Sequence, residues 1–119
     1  MAFGVNRREL DNWKEQVRKG EVAFITHFWV DERFPAVKSI TKAGCADLEK
    51  LSEWGKKYGL KKEWIHIRGD GFPHFDLMGD TQLHILKEEG LHDQIKRFIE
   101  KKEDGSIDQS SAPVYFLYS

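Results

Sequence analysis

Apolar side chains recur every three or four residues near the start of the chain, which is the spacing of one face of an α-helix. The residues with this spacing are Leu10, Trp13 and Val17. Asn6 precedes them as an N-cap, because Glu9 three residues later completes a capping box. The pattern predicts a helix over residues 7–19.

The next segment, EVAFITHFWVD at residues 21–31, is dense in aromatic and β-branched side chains. Such near-continuous apolar composition is typical of a strand covered on both faces. Side chains alternate along a strand, which places His27 and Asp31 on one face. Residues 32–44 contain Pro35 and several small or polar residues. They predict a long connection, and connections of this length are often functional.

The middle of the chain returns to helical spacing over residues 46–58, and Gly59 followed by Leu60 indicates where this second helix ends. The alternating WIHIR at residues 64–68 predicts a further strand. A strand, a helix and a strand in this order predict a parallel pair with a right-handed crossover.

The last third predicts one extended segment and two helices. Pro73 biases the residue before it away from helix, so residues 72–78 predict an extended segment. Glycine stops and apolar spacing predict two helices after it. Together these elements predict an α+β domain over residues 1–102, with a small mixed or partly parallel sheet, about four helices and one βαβ-like unit. Residues 103–119 predict a polar linker followed by a C-terminal strand or tail.

Composition narrows the function classes. The 19 Lys and Arg residues nearly cancel the 20 Asp and Glu residues, so charge does not favour nucleic-acid binding. Cys45 is alone in the sequence, which excludes an internal disulfide and a multi-cysteine zinc site. No run approaches the roughly 20 apolar residues of a membrane span. We therefore expect a soluble cytoplasmic protein.

The segment of residues 64–76 carries the most chemistry. His74 and Asp76 lie two apart in an extended segment, so their side chains point the same way. His66 precedes them, and the predicted topology could bring Asp31 to the same sheet edge. Imidazoles and carboxylates together suit Zn, Mn or Fe, and a bound divalent metal can generate hydroxide for hydrolysis. The same pair is equally typical of a structural hydrogen bond that fixes an imidazole tautomer.

Aromatic side chains, Trp64 among them, flank these polar groups. An apolar wall with a few convergent polar groups is what a small-molecule pocket requires, and core packing explains the aromatics equally well. Arg68 could bind a carboxylate or phosphate with two parallel hydrogen bonds, or pair with Asp70. The sequence lacks the phosphate-loop, dinucleotide, HExxH and GxSxG motifs.

Three stretches resemble a group of small bacterial proteins of unassigned function, the YneQ-like proteins. They are WVDERFP, CADLEKLSEWGKKYGLKKEWIH and PHFDLMGDTQLHILKEEG, and the resemblance covers roughly the first 100 residues. More distantly, the chain is similar to a short VDD…HYD domain-of-unknown-function family of bacteria and phages. That similarity implies that Asp31, Trp64, His74 and Asp76 occupy recurring positions of the family, which often has glutamine in place of His66. It implies the fold and a bacterial cytoplasmic setting, and no reaction.

These observations support three hypotheses. The first is a small bacterial cytoplasmic module that binds a polar ligand or a protein partner through Asp31, Trp64, His66, Arg68, His74 and Asp76. The second is a metal-dependent hydrolase of a phosphoester or nucleotide-like substrate, with His74 and Asp76 as catalytic candidates. Its candidate metal ligands are Asp31, His66, His74 and Asp76. The third is an interaction module that adds its aromatic segment, residues 114–118, to a partner as a strand. All three remain open at this point, as does a homo-oligomeric state.

Overall fold

The computed structural model describes residues 2–67 and 72–100. Its strands are β1 (Ala2–Phe3), β2 (Ala23–Trp29), β3 (Ser39–Gly44) and β4 (His74–Leu77). Its α-helices are α1 (Arg7–Arg18), α2 (Leu48–Lys56), α3 (Gly79–Glu88) and α4 (His92–Ile95). A 3-10 turn, Lys62–Trp64, follows α2, and a π-helical turn, Lys96–Glu100, continues α4. The predicted α+β class is confirmed.

The four strands form one sheet in the order β1-β2-β3-β4. β1 pairs with β2, and β3 pairs with β4, in both cases antiparallel. In the β3–β4 ladder, Lys42 lies opposite Asp76, and Gly44 lies opposite His74. Because side chains alternate along a strand, these four residues share one face of the sheet, and Phe75 lies on the other.

Residues 64–67 differ from the strand that their alternation predicts. Trp64 ends the 3-10 turn, and His66 makes an isolated antiparallel bridge to His74. The bridge has two hydrogen bonds: the His66 N–H donates to the His74 carbonyl at 2.7 Å, and the His74 N–H donates back at 3.2 Å. This pairing corrects the parallel pair predicted between the segments of residues 21–31 and 64–68. His66 pairs with the segment that follows it closely, and so short a return allows only antiparallel pairing.

The connection predicted over residues 32–44 is also corrected, because its second half is β3. Ile40 and Thr41, two β-branched residues, are buried in this strand. Neighbouring polar and small residues hide the strand pattern in the sequence. Pairing with β4 stabilises β3 although its local strand propensity is weak, since the stability of a strand depends strongly on the residues opposite it in the sheet.

The chain divides into two compact units, which we describe separately. Among the described residues, the first unit comprises 2–3, 26–40 and 78–100, and the second comprises 4–25, 41–67 and 72–77. In the first unit, the rings of Phe28 and Phe98 meet edge to face with centroids 4.8 Å apart. The buried Gln82 side-chain amide donates to the Ser39 hydroxyl at 3.1 Å. These contacts attach β2 and β3 to α3 and the π-helical turn.

The second unit contains β4 and packs apolar side chains on both faces of its strands. On one face, Trp13 and Val17 of α1 pack with Ala23 and Ile25 of β2, and the Trp13 indole donates to the Ala23 carbonyl at 3.0 Å. On the other face, the Phe75 ring lies 6.0 Å from the Trp54 ring of α2. Phe75 is 2% exposed, so β4 is anchored by a buried ring.

Several local predictions are confirmed. Asn6 caps α1, where its side chain accepts from the Glu9 N–H at 2.8 Å and the Glu9 carboxylate accepts from the Asn6 N–H at 2.9 Å. Gly59 has a positive φ of 75°, and the Leu60 N–H donates to the Gly55 carbonyl at 2.9 Å, which ends α2 as predicted. Residues 103–119 lie outside the described residues, so the predicted linker and tail stay predictions. Among the helices of the described residues, none combines the length and apolar character needed to cross a bilayer.

Candidate functional site

Three of the predicted site residues lie together in the second unit. β4 presents His74 and Asp76 on one face, and the antiparallel bridge brings His66 alongside them. The Asp76 carboxylate contacts both imidazoles. Its Oδ2 is 3.1 Å from His66 Nε2, and its Oδ1 is 3.4 Å from His74 Nε2. The His66 and His74 rings stack with centroids 5.4 Å apart and planes inclined by 23°.

The three side chains form a gradient from solvent to interior. The exposed fraction is 45% for the His66 side chain, 27% for Asp76 and 9% for His74. Trp13 covers His74 from α1, with its ring edge-on at a centroid distance of 6.4 Å. His66 is thus the most exposed of the three side chains and His74 the most buried.

A backbone contact determines which nitrogen of His74 carries the hydrogen. Its Nδ1 is 2.9 Å from the Phe72 carbonyl oxygen. A carbonyl oxygen only accepts, so Nδ1 donates, and the neutral ring keeps a lone pair on Nε2. Burial of the ring lowers the pKa of His74, and this is the largest effect. The Phe72 carbonyl and the Asp76 carboxylate raise the pKa by less, while the positive charges of Lys42 and His66 lower it further. The neutral imidazole is thus favoured.

With His74 neutral, two hydrogen-bond acceptors face each other: His74 Nε2 and Asp76 Oδ1. Among the described residues, Oδ1 is buried without a hydrogen-bond donor. A buried acceptor left unpaired costs about 1–3 kcal/mol. The other carboxylate oxygen, Oδ2, is within hydrogen-bonding distance of His66 Nε2. The site can therefore accept a hydrogen-bond donor that the described residues do not supply.

A residue that the sequence did not single out makes room for this site. Gly44 lies opposite His74, and a Cβ there would lie 2.7 Å from a ring carbon of Trp13 and 3.1 Å from a methyl carbon of Val17. Glycine thus allows α1 to approach the strand and cover His74. A glycine within a strand can mark such a close approach, but residues 39–44 show no evident strand pattern, so the sequence did not reveal it.

Trp64 is half-exposed and precedes His66 by two residues. The Lys61 ammonium lies over its ring, 5.6 Å from the centroid. The exposed ring therefore already accepts a cation on its face, as the quadrupole of an aromatic ring favours. Arg68, also predicted for this face, lies outside the described residues.

Asp31 belongs to the other compact unit, where it pairs with Arg33. The Arg33 Nε and its terminal nitrogen donate to the carboxylate at 2.9 Å and 2.5 Å, and the Arg33 backbone N–H donates at 2.9 Å. These hydrogen bonds from Arg33 lower the pKa of Asp31 to about 2. The carboxylate thus has a local partner, and its predicted role as a ligand to a shared metal receives no support.

The divalent metal that the sequence left possible gains no support from the described residues. No three His, Cys, Asp or Glu side chains within them are placed to hold an ion. The reason at His66 and His74 is their stacking, because imidazole lone pairs lie in the ring plane and two nearly parallel planes do not converge on one point.

Comparison with known proteins finds one close relative. The chain is 60% identical over 98 residues to "Uncharacterized protein YneQ" of Bacillus subtilis (strain 168), and the alignment covers 82% of this chain and 98% of that protein. No family model matches the chain. No solved structure matches it either. The name of the relative states no activity, substrate or partner.

Proposed function

The chain belongs to the YneQ family of bacterial proteins, and from this premise we propose that it is a small cytoplasmic module that binds a polar ligand. The binding face consists of Trp64, His66, His74 and Asp76. The ligand is a small polar molecule or a polar group of a protein partner.

One observation carries the proposal: the Asp76 carboxylate has one oxygen that is buried and lacks a donor among the described residues. Buried polar groups are satisfied in the great majority of cases, and an exception calls for an explanation. A ligand that donates to this carboxylate would supply the missing hydrogen bond. The neighbouring His66 is exposed enough to contact the same ligand, and Trp64, two residues before it in sequence, has a half-exposed ring.

The surroundings also support binding. Phe75 anchors β4 from the opposite face, and Trp13 holds the His74 ring from α1. The polar groups are thus held in place before a ligand arrives, which reduces the entropy lost on binding. An apolar surround with a few fixed polar groups is typical of small-molecule sites.

A thermal-shift screen of nucleotides, sugars, amines and organic acids tests this function. A ligand present at 100 times its Kd stabilises the folded state by about 2.7 kcal/mol. We expect one or more hits whose stabilisation disappears in Asp76→Asn. Asp80→Asn, which changes an exposed carboxylate in the first turn of α3, is the matched control and should retain it. A screen without hits, or hits that survive Asp76→Asn, would contradict the proposal.

The alternatives gain no specific support. The metal-dependent hydrolase needs a set of ligands that the described residues do not gather. Strand addition through residues 114–118 concerns a segment outside the described residues and stays a prediction, as does a homo-oligomeric state.

A further inference from the structure

The contact between His74 and Asp76 joins two groups of the same hydrogen-bonding character. His74 Nδ1 donates to the Phe72 carbonyl, so the neutral ring presents a lone pair at Nε2. That nitrogen lies 3.4 Å from Asp76 Oδ1, which is itself an acceptor. We define these two atoms as the acceptor pair.

The charged and titratable groups around the acceptor pair come from three elements and the bridge. Asp76 on β4, Lys42 on β3 and His66 at the bridge all act on His74. From α1, the Lys14 ammonium and the Arg18 guanidinium lie over the Phe72 ring, 5.3 and 5.2 Å from its centroid. These two cations are thus placed on an aromatic face rather than on the carboxylate. Arg68 and Asp70 follow the bridge in sequence and lie outside the described residues.

The acceptor pair determines what kind of ligand fits. An anionic ligand would place a third hydrogen-bond acceptor against the two acceptors of the pair. A metal ion would need lone pairs that converge on one point, and the stacked rings of His66 and His74 do not direct theirs in that way. A positively charged N–H group has both the donor and the charge that a carboxylate favours, and charge-assisted hydrogen bonds are the stronger kind.

We propose that the acceptor pair binds the N–H group of a cationic ligand, an ammonium or a guanidinium, and that a proton on His74 Nε2 competes with this ligand. The inference rests on the proposed binding function and names the ligand class of the same face. His66 Nε2 lies 3.1 Å from Oδ2, so in this proposal the ligand displaces the His66 ring from the carboxylate. Both carboxylate oxygens then face the ligand, which suits the parallel N–H groups of a guanidinium.

An NMR titration of the full chain with methylguanidinium and methylammonium chlorides tests the inference. At about pH 8, where an imidazole of ordinary pKa is neutral, we expect saturable shifts of the His66, His74 and Asp76 amide signals. The affinity should then fall by about tenfold, or about 1.4 kcal/mol, for each pH unit below the folded pKa of His74, which lies below the ordinary imidazole value and which the His74 ring signals report in the same titration. Tetramethylammonium is the matched control, because it has the charge and no N–H, and it should cause no saturable shift.

Three results would overturn the inference: equal shifts with tetramethylammonium, an affinity that does not change while the His74 ring titrates, or no saturable shift with either N–H cation. Binding that survives Asp76→Asn would also overturn it, provided that the spectrum of the variant shows an intact fold. If a neutral or anionic ligand binds with dependence on Asp76 while the N–H cations do not, the proposed binding function stands and the ligand class is wrong. If no ligand of any class binds, both fail.

Discussion

Gly55→Ala should destabilise the protein, although alanine is the better helix former. Gly55 lies within α2, and a Cβ there would come within 2.8 and 2.9 Å of two ring carbons of Phe75. The Leu60 Cβ would lie at 3.3 Å. Phe75 is 2% exposed, so its ring has little room to move away. The same ring anchors β4 between His74 and Asp76.

The sign of the effect follows from two magnitudes. Replacing glycine by alanine inside a helix gains about 1 kcal/mol in helix propensity. Overpacking a well-filled core costs about 1–3 kcal/mol, and contacts below 3.0 Å require a displacement of the ring or of α2. The balance is a loss of about 1 kcal/mol in the free energy of unfolding, which lowers Tm by about 4–8 °C in a domain of this size.

Urea denaturation of wild type, Gly55→Ala, Phe75→Leu and the double variant measures the effect. Leucine lacks the end of the ring that the new methyl group would meet, so the double variant should be more stable than the sum of the two single changes predicts. Coupling of residues in contact is typically about 0.5–3 kcal/mol. A Gly55→Ala variant that is more stable than wild type, or two changes that simply add, would refute the packing argument.

Three further predictions concern pH and the first helix. Because the folded pKa of His74 lies below that of the unfolded chain, the unfolded state binds the proton more readily. The free energy of unfolding should therefore fall as pH drops below 6.5, the ordinary pKa of histidine, and level off below the folded pKa. Urea midpoints measured across pH test this. An equally steep fall of the midpoint with pH in His74→Gln would contradict it. The Asp31 carboxylate should titrate near pH 2 by NMR, and Arg33→Ala should raise its midpoint toward 3.8; its contribution to stability is present above pH 3.8 and is lost as pH falls toward 2. An unchanged midpoint in Arg33→Ala would remove Arg33 as the cause. Asn6→Ala should cost about 1 kcal/mol and Asn6→Gly only a few tenths; equal urea midpoints for Asn6→Ala and wild type would show that the cap is not stabilising.

Local signals in the sequence were sufficient where one short segment contains all the partners. The capping box at Asn6 and Glu9 and the glycine stop at Gly59 join residues a few positions apart. The period-two spacing of His74 and Asp76 likewise predicted that both side chains share a face of β4, and the ladder with β3 has them there. Each of these interactions is determined by backbone geometry over one or two turns or pleats.

Local sequence signals did not predict the structure where pairing between distant segments determines it. Residues 41–44 lie in a strand because β4 pairs with them, and His66 bridges His74 antiparallel because the intervening chain is short. Asp31 pairs locally with Arg33, and its predicted place beside the histidines stays a prediction. Strand partners are selected by packing and register, which no single segment contains.

The sequence by itself determined the α+β class, the N-cap of α1, the glycine stop after α2 and the shared face of His74 and Asp76, because these depend on propensity, capping and periodicity. Only the tertiary structure decided that His66 lies against Asp76, that Gly44 gives α1 room to cover His74 and that Asp76 Oδ1 lacks a donor among the described residues. Those facts depend on burial and on contacts between segments that folding alone brings together. The chemistry proposed for the site depends on them as well, since a tautomer and a missing hydrogen bond are properties of the surroundings of a side chain.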